Sequence, residues 1–110
     1  MSSDIPGWAQ TIIRAHTAVT NKVSHGGRLK SDRYFVWTEG ADNDELADNC
    51  HTETVMRGTT DLFTKKEFDP WREQIEASFD TCGISWERID VMLEEDTGFW
   101  HYVWDWEVPA

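Results

Sequence analysis

Several residue groups in this chain are of types that do chemistry, and each can be held against the spacing that its chemistry needs. Asp42, Asp44 and Asp48 are spaced like the oxygen ligands of a calcium loop. That pattern also needs an oxygen where Leu46 stands and a glycine where Ala47 stands, and it fails at both. Cys50 and His51, with His16, His25 and His101, include zinc-ligand types. No pair has the C-x2-C or H-x3-H spacing that sets two ligands on one turn, so zinc is not expected. A Cys–His nucleophile built from Cys50 or Cys82 with His101 meets the same objection. Cys82 also falls on the apolar stripe of a predicted helix, where a thiol is packing. With 21 acidic residues some carboxylate pair is inevitable, and an inevitable pair is no sign of glycoside chemistry. The doublet Gly26-Gly27 opens no helix and so cradles no phosphate. The expectation is a protein without catalytic residues, cofactor or metal.

The bulk numbers narrow the class. A chain of 110 residues is one domain. Hydrophobic residues make up 39% and there are seven tryptophans, too much apolar material for a disordered acidic tail. A net charge of −11 argues against gripping a phosphate backbone, which needs a Lys/Arg face. The charge is compatible with plain solubility, with a surface that repels DNA, or with one that imitates it. Met1 to Pro6 lacks the basic head and apolar run of a secretion signal. No stretch approaches the ~20 apolar residues that span a bilayer. An intracellular, reducing setting with both cysteines free is the expectation, and no membrane partner.

Periodicity then places the elements. Ser3 or Asp4 can cap a first helix, and Pro6 suits its first turn. Ile5, Trp8, Ile12, Ala15 and Val19 form one stripe, with the helix ending near residue 20 in a Thr-rich stretch. A short extended piece spans Lys22 to His25, and Gly26-Gly27 turns the chain. Tyr34 to Thr38 is β-branched and aromatic on both faces and reads as a buried strand ending at Gly40. Glu39 to Asp48, EGADNDELAD, repels itself and reads as an exposed loop. Thr54 to Thr64 is a second long strand, in which Gly58 signals a bulge or a close backbone approach. Asp69 and Pro70 open a helix over Pro70 to Cys82, with Trp71, Ile75, Phe79 and Cys82 on one stripe and Gly83 ending it.

The remainder is a hairpin, Trp86 to Glu94 and Phe99 to Val108, turning through Glu95-Asp96-Thr97-Gly98. Setting Glu94 against Phe99 pairs Leu93 with Trp100, Val91 with Tyr102 and Ile89 with Trp104, so that the apolar residues of both strands share a face. A register one residue away splits them between faces. Trp100, Tyr102, Trp104 and Trp106 are then one face of the last strand, laid over the Trp71/Ile75/Phe79 stripe. The fold class is α+β: an antiparallel or mixed sheet of four to five strands with two helices on one face, in the order α-β-β-α-β-β, allowing a short extra strand near residues 22–25. The other sheet face, with Phe99, Val103 and the far side of Tyr34–Thr38, is expected to stay partly uncovered. Tyr34, Trp37, Phe99 and Trp106 are the candidate aromatics of a contact between subunits.

The run Thr59 to Asp69, TTDLFTKKEFD, resembles a group of small tail proteins from long, flexible-tailed bacteriophages and Gram-positive prophages. The strand Tyr34-Phe35-Val36-Trp37-Thr38-Glu39 and the segment from Glu94-Glu95-Asp96-Thr97-Gly98 through His101-Tyr102 to Trp106-Glu107-Val108 carry the same likeness. It covers residues 34 to 108 in order, and no motif in it is a chemical fingerprint. Those proteins are similar to the tail terminator, or tail completion, family. The resemblance implies a sheet flanked by helices and a structural role in the virion, with assembly in the host cytoplasm. It implies a hexameric ring that caps the tail tube, stops its polymerisation and meets the head connector. The implied partners are identical subunits, the tail tube protein and the head-completion protein, with DNA as cargo passing through. Glu39, Asp42, Asp44, Glu45 and Asp48 are the candidate lining of the ring's bore, where negative charge keeps DNA from sticking. The alternatives are an acidic DNA mimic that inhibits a DNA-binding protein, or another head–tail neck protein.

Overall fold

The apolar steps of the N-terminal segment fold into helix α1, Gly7–Thr17, which buries Ala9, Ile12, Ala15 and His16. It belongs to a computed structural model that describes residues 5–40 and 55–110. The expected cap residues Ser3 and Asp4 lie outside the described residues. Pro6 stands extended just ahead of the helix, and its carbonyl accepts from the amides of Ala9 and Gln10. The helix ends at Thr17, short of residue 20, and the next turn closes through amides of Val19 and Thr20 on the His16 carbonyl.

The expected short strand is present as β1, Val23–His25, and it pairs in parallel with β2, Arg33–Glu39. A parallel pair cannot be closed by a tight turn, because the chain must travel back to the start of the next strand. Residues 26–32 make that return across the sheet face opposite the helices. On that path the Arg28 guanidinium lies 3.9 Å from the centre of the Phe63 ring, and its Nε donates to the Tyr34 hydroxyl at 3.3 Å. The glycine doublet therefore starts a covering loop.

Strand β3 (Val55–Thr64) runs antiparallel to β2, helix α2 (Trp71–Thr81) follows, and β4 (Ser85–Glu94) and β5 (Phe99–Pro109) form the hairpin. Strand β5 inserts between β3 and β4, so the mixed sheet has the order β1-β2-β3-β5-β4. Ile12 of α1 and Ile75 and Phe79 of α2 share one core with Phe35, Leu62, Tyr102, Trp104 and Trp106 of the sheet, so both helices lie on one face. The Ser78 hydroxyl joins them by donating to the Ala15 carbonyl at 2.7 Å.

The start of α2 is anchored by a buried carboxylate. Asp69 accepts from the Trp71 amide (2.9 Å), from the Thr64 hydroxyl (2.7 Å) and from two nitrogens of Arg33. Pro70 already has helical dihedrals, so Asp69 is the capping residue and Pro70 the first helical one. Burial pushes the Asp69 carboxyl up, but the hydrogen bonds from Arg33, Thr64 and the Trp71 amide outweigh it and hold the group below the ordinary carboxylate range. The guanidinium of Arg33 also lies 3.8 Å from the centre of the Trp71 ring, and Trp71 stacks on Phe35. At the other end Gly83 has φ +75°, and the amides of Gly83 and Ile84 return to the carbonyls of Asp80 and Phe79, a Schellman closure.

In the hairpin, Glu94 faces Phe99, Leu93 faces Trp100 and Val91 faces Tyr102, as the even register requires. The expected pair Ile89–Trp104 does not form. A bulge at Ile89 leaves that residue unpaired and sets Arg88 opposite Trp104. Strict alternation from Leu93 would have turned Glu87 toward the helices and Trp86 away from them. The extra residue reverses that parity, so Trp86 packs on the core and donates from Nε1 to Asp80 at 2.8 Å. Arg88 joins the same side, where Glu76 of α2 accepts from it (2.8 Å) and from Trp104 Nε1 (2.9 Å).

Gly58 is the close approach that its position in β3 suggested. The Trp106 indole crosses it, and a methyl built there would sit 2.5 Å from two ring carbons and closer still to the Thr38 carbonyl oxygen. Because the collision involves backbone and a buried ring, Gly58→Ala should destabilise the fold by about 2–4 kcal/mol, read as a lower urea midpoint with unchanged slope. A variant as stable as the parent would show that Trp106 does not cross the β3 backbone.

Candidate functional site

Exposed apolar side chains gather on the outer strand of the hairpin. Strand β4 is an edge strand, and Ile89, Val91, Met92 and Leu93 are 48%, 44%, 42% and 45% exposed. Val91 and Leu93 point to the helix side beside Tyr102 and Trp100, while Met92 points to the other face beside His101. Helix α2 reaches β4 through Glu76 and Asp80, which hold Arg88 and Trp86, so it covers the half of β4 before the bulge. The half from Ile89 to Glu94 extends beyond those contacts. A row of unpaired backbone groups bordered by apolar side chains is a template for another chain. Phe68, in the link between β3 and α2, is 86% exposed.

The aromatics expected at a subunit contact are placed otherwise. Tyr34, Trp37 and Trp106 are 1%, 4% and 2% exposed, each sealed within the chain. Trp37 is covered by Trp8 of α1 and by His25, whose ring stacks on it at 4.0 Å. Trp106 lies in the helix-side core. Tyr34 belongs with Val36 and Phe63 to a second cluster on the opposite face, against which the partly buried Phe99 packs. The expectation that this face stays open is corrected by the return loop: Arg28 roofs Phe63 and Phe99, and Lys65 lies 4.5 Å from the centre of the Phe99 ring. The apolar surplus sits on β4 instead. Two signals in the sequence point there, the consecutive run Val91-Met92-Leu93 and the wrong parity between Trp86 and Ile89.

Polar groups complete the second face. His101 stacks on Phe63 and lies between two carboxylates, with Nε2 2.6 Å from Asp61 and Nδ1 3.4 Å from Glu94. Glu94 also accepts from Arg28 and from the Thr97 hydroxyl. Burial pushes its carboxyl up, but Arg28, Thr97 and the nearby His101 more than offset this and hold it below the usual range. Cys82 packs against the helix-side core while His101 stands on the opposite face, so the two do not form a nucleophilic pair. Cys50 and His51 lie outside the described residues, as do Asp42, Asp44, Glu45 and Asp48 of the candidate bore lining. Glu39, at the end of β2, accepts from His25 at 2.7 Å, and that hydrogen bond lowers its carboxyl.

An open cleft of about 610 Å3 lies beside Gly40, Arg57 and Trp86. Glu87 and Asp105 face each other across the strands in it, and burial first, then the Glu87 charge, pushes the Asp105 carboxyl up. Arg57 and Glu107 are paired at 2.7 Å on its wall.

Beneath the sheet, His16 is fully buried. Its Nδ1 lies 2.7 Å from the Ile12 carbonyl, which can only accept, so Nδ1 carries the proton. Nε2 then accepts from the Thr60 hydroxyl at 3.0 Å, and Thr60 in turn accepts from Trp106 Nε1 at 2.9 Å. Every donor in this chain has one acceptor, and a second proton on His16 would leave the Thr60 hydroxyl hydrogen without a partner. Burial lowers the His16 pKa from 6.5 to about 4, although the bond to Ile12 opposes the shift. The network ties α1 to β3 and β5 and is structural.

No protein-family model, no curated protein and no solved structure matches this chain.

His16 makes stability depend on pH. The unfolded imidazole binds its proton near pH 6.5 and the folded one only near 4. The contribution is therefore complete above pH 6.5, declines as pH falls through that window and is gone below about 4, a total of about 3 kcal/mol. Urea unfolding of the parent and of His16→Leu between pH 4 and 8 should differ by this sloping increment. Equal slopes would sink the assignment of a neutral, buried His16.

Proposed function

We propose that this chain is a structural protein of the bacteriophage tail: a tail terminator whose copies close into a hexameric ring on the tail tube, stop its growth and present a surface to the head connector. The reading rests on the family resemblance of residues 34–108. It is supported most directly by the uncovered apolar half of β4, on a chain whose largest aromatic rings are otherwise in its core. A surface of that kind is unfavourable in an isolated subunit and is removed from water when another chain covers it. The α+β architecture, a mixed sheet with two helices on one face, agrees with the fold that the resemblance implies.

The rival reading, an acidic DNA mimic, needs carboxylates free to present a phosphate-like array. On the sheet face away from the helices Asp61, Glu94 and Glu107 are instead held by His101, Arg28 and Arg57. Five of the ten Lys and Arg residues, Arg14, Lys22, Arg28, Lys30 and Arg33, are gathered in one stretch, which also breaks up a uniformly negative surface.

Phage particles assembled without this chain should carry overlong tails in electron micrographs. Tails of normal length would overturn the terminator role. In the ring, Glu39 to Asp48 line the bore and repel passing DNA. Replacing Asp42, Asp44 and Asp48 by Asn and Glu45 by Gln should slow DNA ejection while leaving tail length unchanged. A change in tail length instead would make that segment a contact with the tube.

A further inference from the structure

The proposed ring leaves open which surfaces meet. We infer that the β4 edge of one copy docks against the β1 edge of the next, an inference that rests on the ring reading and adds its interface.

Strand direction is the first support. Strands β1, β2 and β5 run one way, and β3 and β4 run the other. β1 and β4 are the two edges of the sheet. Rotation about an axis parallel to the strands keeps their directions, so β4 of one copy arrives antiparallel to β1 of its neighbour. That is the orientation in which edge strands pair with straight ladder bonds.

Charge is the second, independent support. The hairpin from Ser85 to Glu107 carries Glu87, Asp90, Glu94, Glu95, Asp96, Asp105 and Glu107 against the single cation Arg88. The segment that holds the opposite edge, residues 14–33, carries Arg14, Lys22, Arg28, Lys30 and Arg33 against the single anion Asp32. Arg28 and Arg33 are engaged within the chain by Glu94 and Asp69, and Glu107 by Arg57, which leaves Arg14, Lys22 and Lys30 exposed on one side and Glu87, Asp90, Glu95, Asp96 and Asp105 exposed on the other. A two-fold contact of β4 with another β4 sets acidic strand against acidic strand, and like charges across a ladder are destabilising. The head-to-tail contact sets acid against base, and a repeated head-to-tail contact closes into a ring. Ile89, Val91, Met92 and Leu93 then lose water on contact, and the bulge at Ile89 bends the strand that meets the neighbour.

The test uses the full chain with two charge reversals at exposed positions. In the first variant Asp90 and Glu95 become Lys; in the second Lys22 and Lys30 become Glu. Thermal unfolding checks that both still fold. Sedimentation at millimolar concentration and low salt should show oligomers for the parent. Each variant alone should associate at least about tenfold more weakly. Mixing the two should restore association, since the reversed surfaces complement each other, and raised salt should weaken the parent's oligomer. If the second variant alone assembles like the parent, the contact does not involve the β1 edge and the inference fails. If neither variant changes a parental oligomer, the interface lies elsewhere and the ring reading survives. A parent that stays monomeric at millimolar concentration overturns the inference, while the tail-length measurement still decides the terminator role separately.

Discussion

The close crossing of Trp106 over Gly58 is the constraint on which the rest of this molecule depends. An indole can pack this close to a neighbouring strand only where that strand has no side chain in its way. Gly58 supplies the gap, and the ring then reaches the Thr60 hydroxyl with its one N–H. Thr60 passes the order of protons to His16, so the position of α1 over the sheet is tied to the position of β5 within it. Each large ring buries roughly 150–250 Å2, so this arrangement gives a short chain a core dense enough to hold two helices.

The two faces of the sheet are closed by different means. On the helix side the cover is secondary structure, fixed at one corner by Asp69, which brings together β2, β3 and the first turn of α2. Removing one partner of such a buried pair leaves an uncompensated charge and typically costs about 3–5 kcal/mol, so the corner is held firmly. On the other side the cover is a loop and a guanidinium. Residues 26–32 must cross the sheet because β1 is parallel to β2, and Arg28 uses its flat cation to roof Phe63. What neither device reaches is the far half of β4, and the assembly reading follows from that gap.

Much of the architecture could be read from the order of residues. Asp69-Pro70 and Gly83 mark the second helix because capping and left-handed closure are local chemistry, settled within a few residues. The turn before Phe99 and the register of Leu93 and Val91 were legible for a similar reason, since one slip would move every side chain to the wrong face. Gly58 was legible only as a site of some close approach; that the approaching group is Trp106 depends on β5 lying beside β3. The bulge at Ile89 is not part of the sequence reading, which pairs Ile89 with Trp104; the contacts of Trp86 with Asp80 and of Arg88 with Glu76 on α2 set it. The aromatic set expected at a subunit contact is covered for two reasons: the parallel pairing of β1, invisible from three residues, brings Arg28 over the face that holds Tyr34 and Phe99, while Trp37 and Trp106 lie in the core on the helix side.

By itself, then, the order of residues determined the class of fold, the ends of the second helix, the hairpin turn and an excess of large apolar side chains. These follow from spacing, capping and turn chemistry, which act between near neighbours. The tertiary structure decided where the excess lies. Which rings are sealed depends on strand order, on the path of the return loop and on the reach of α2, all set by contacts between residues far apart in the chain. The exposed strand β4 is what remains after those contacts have been made.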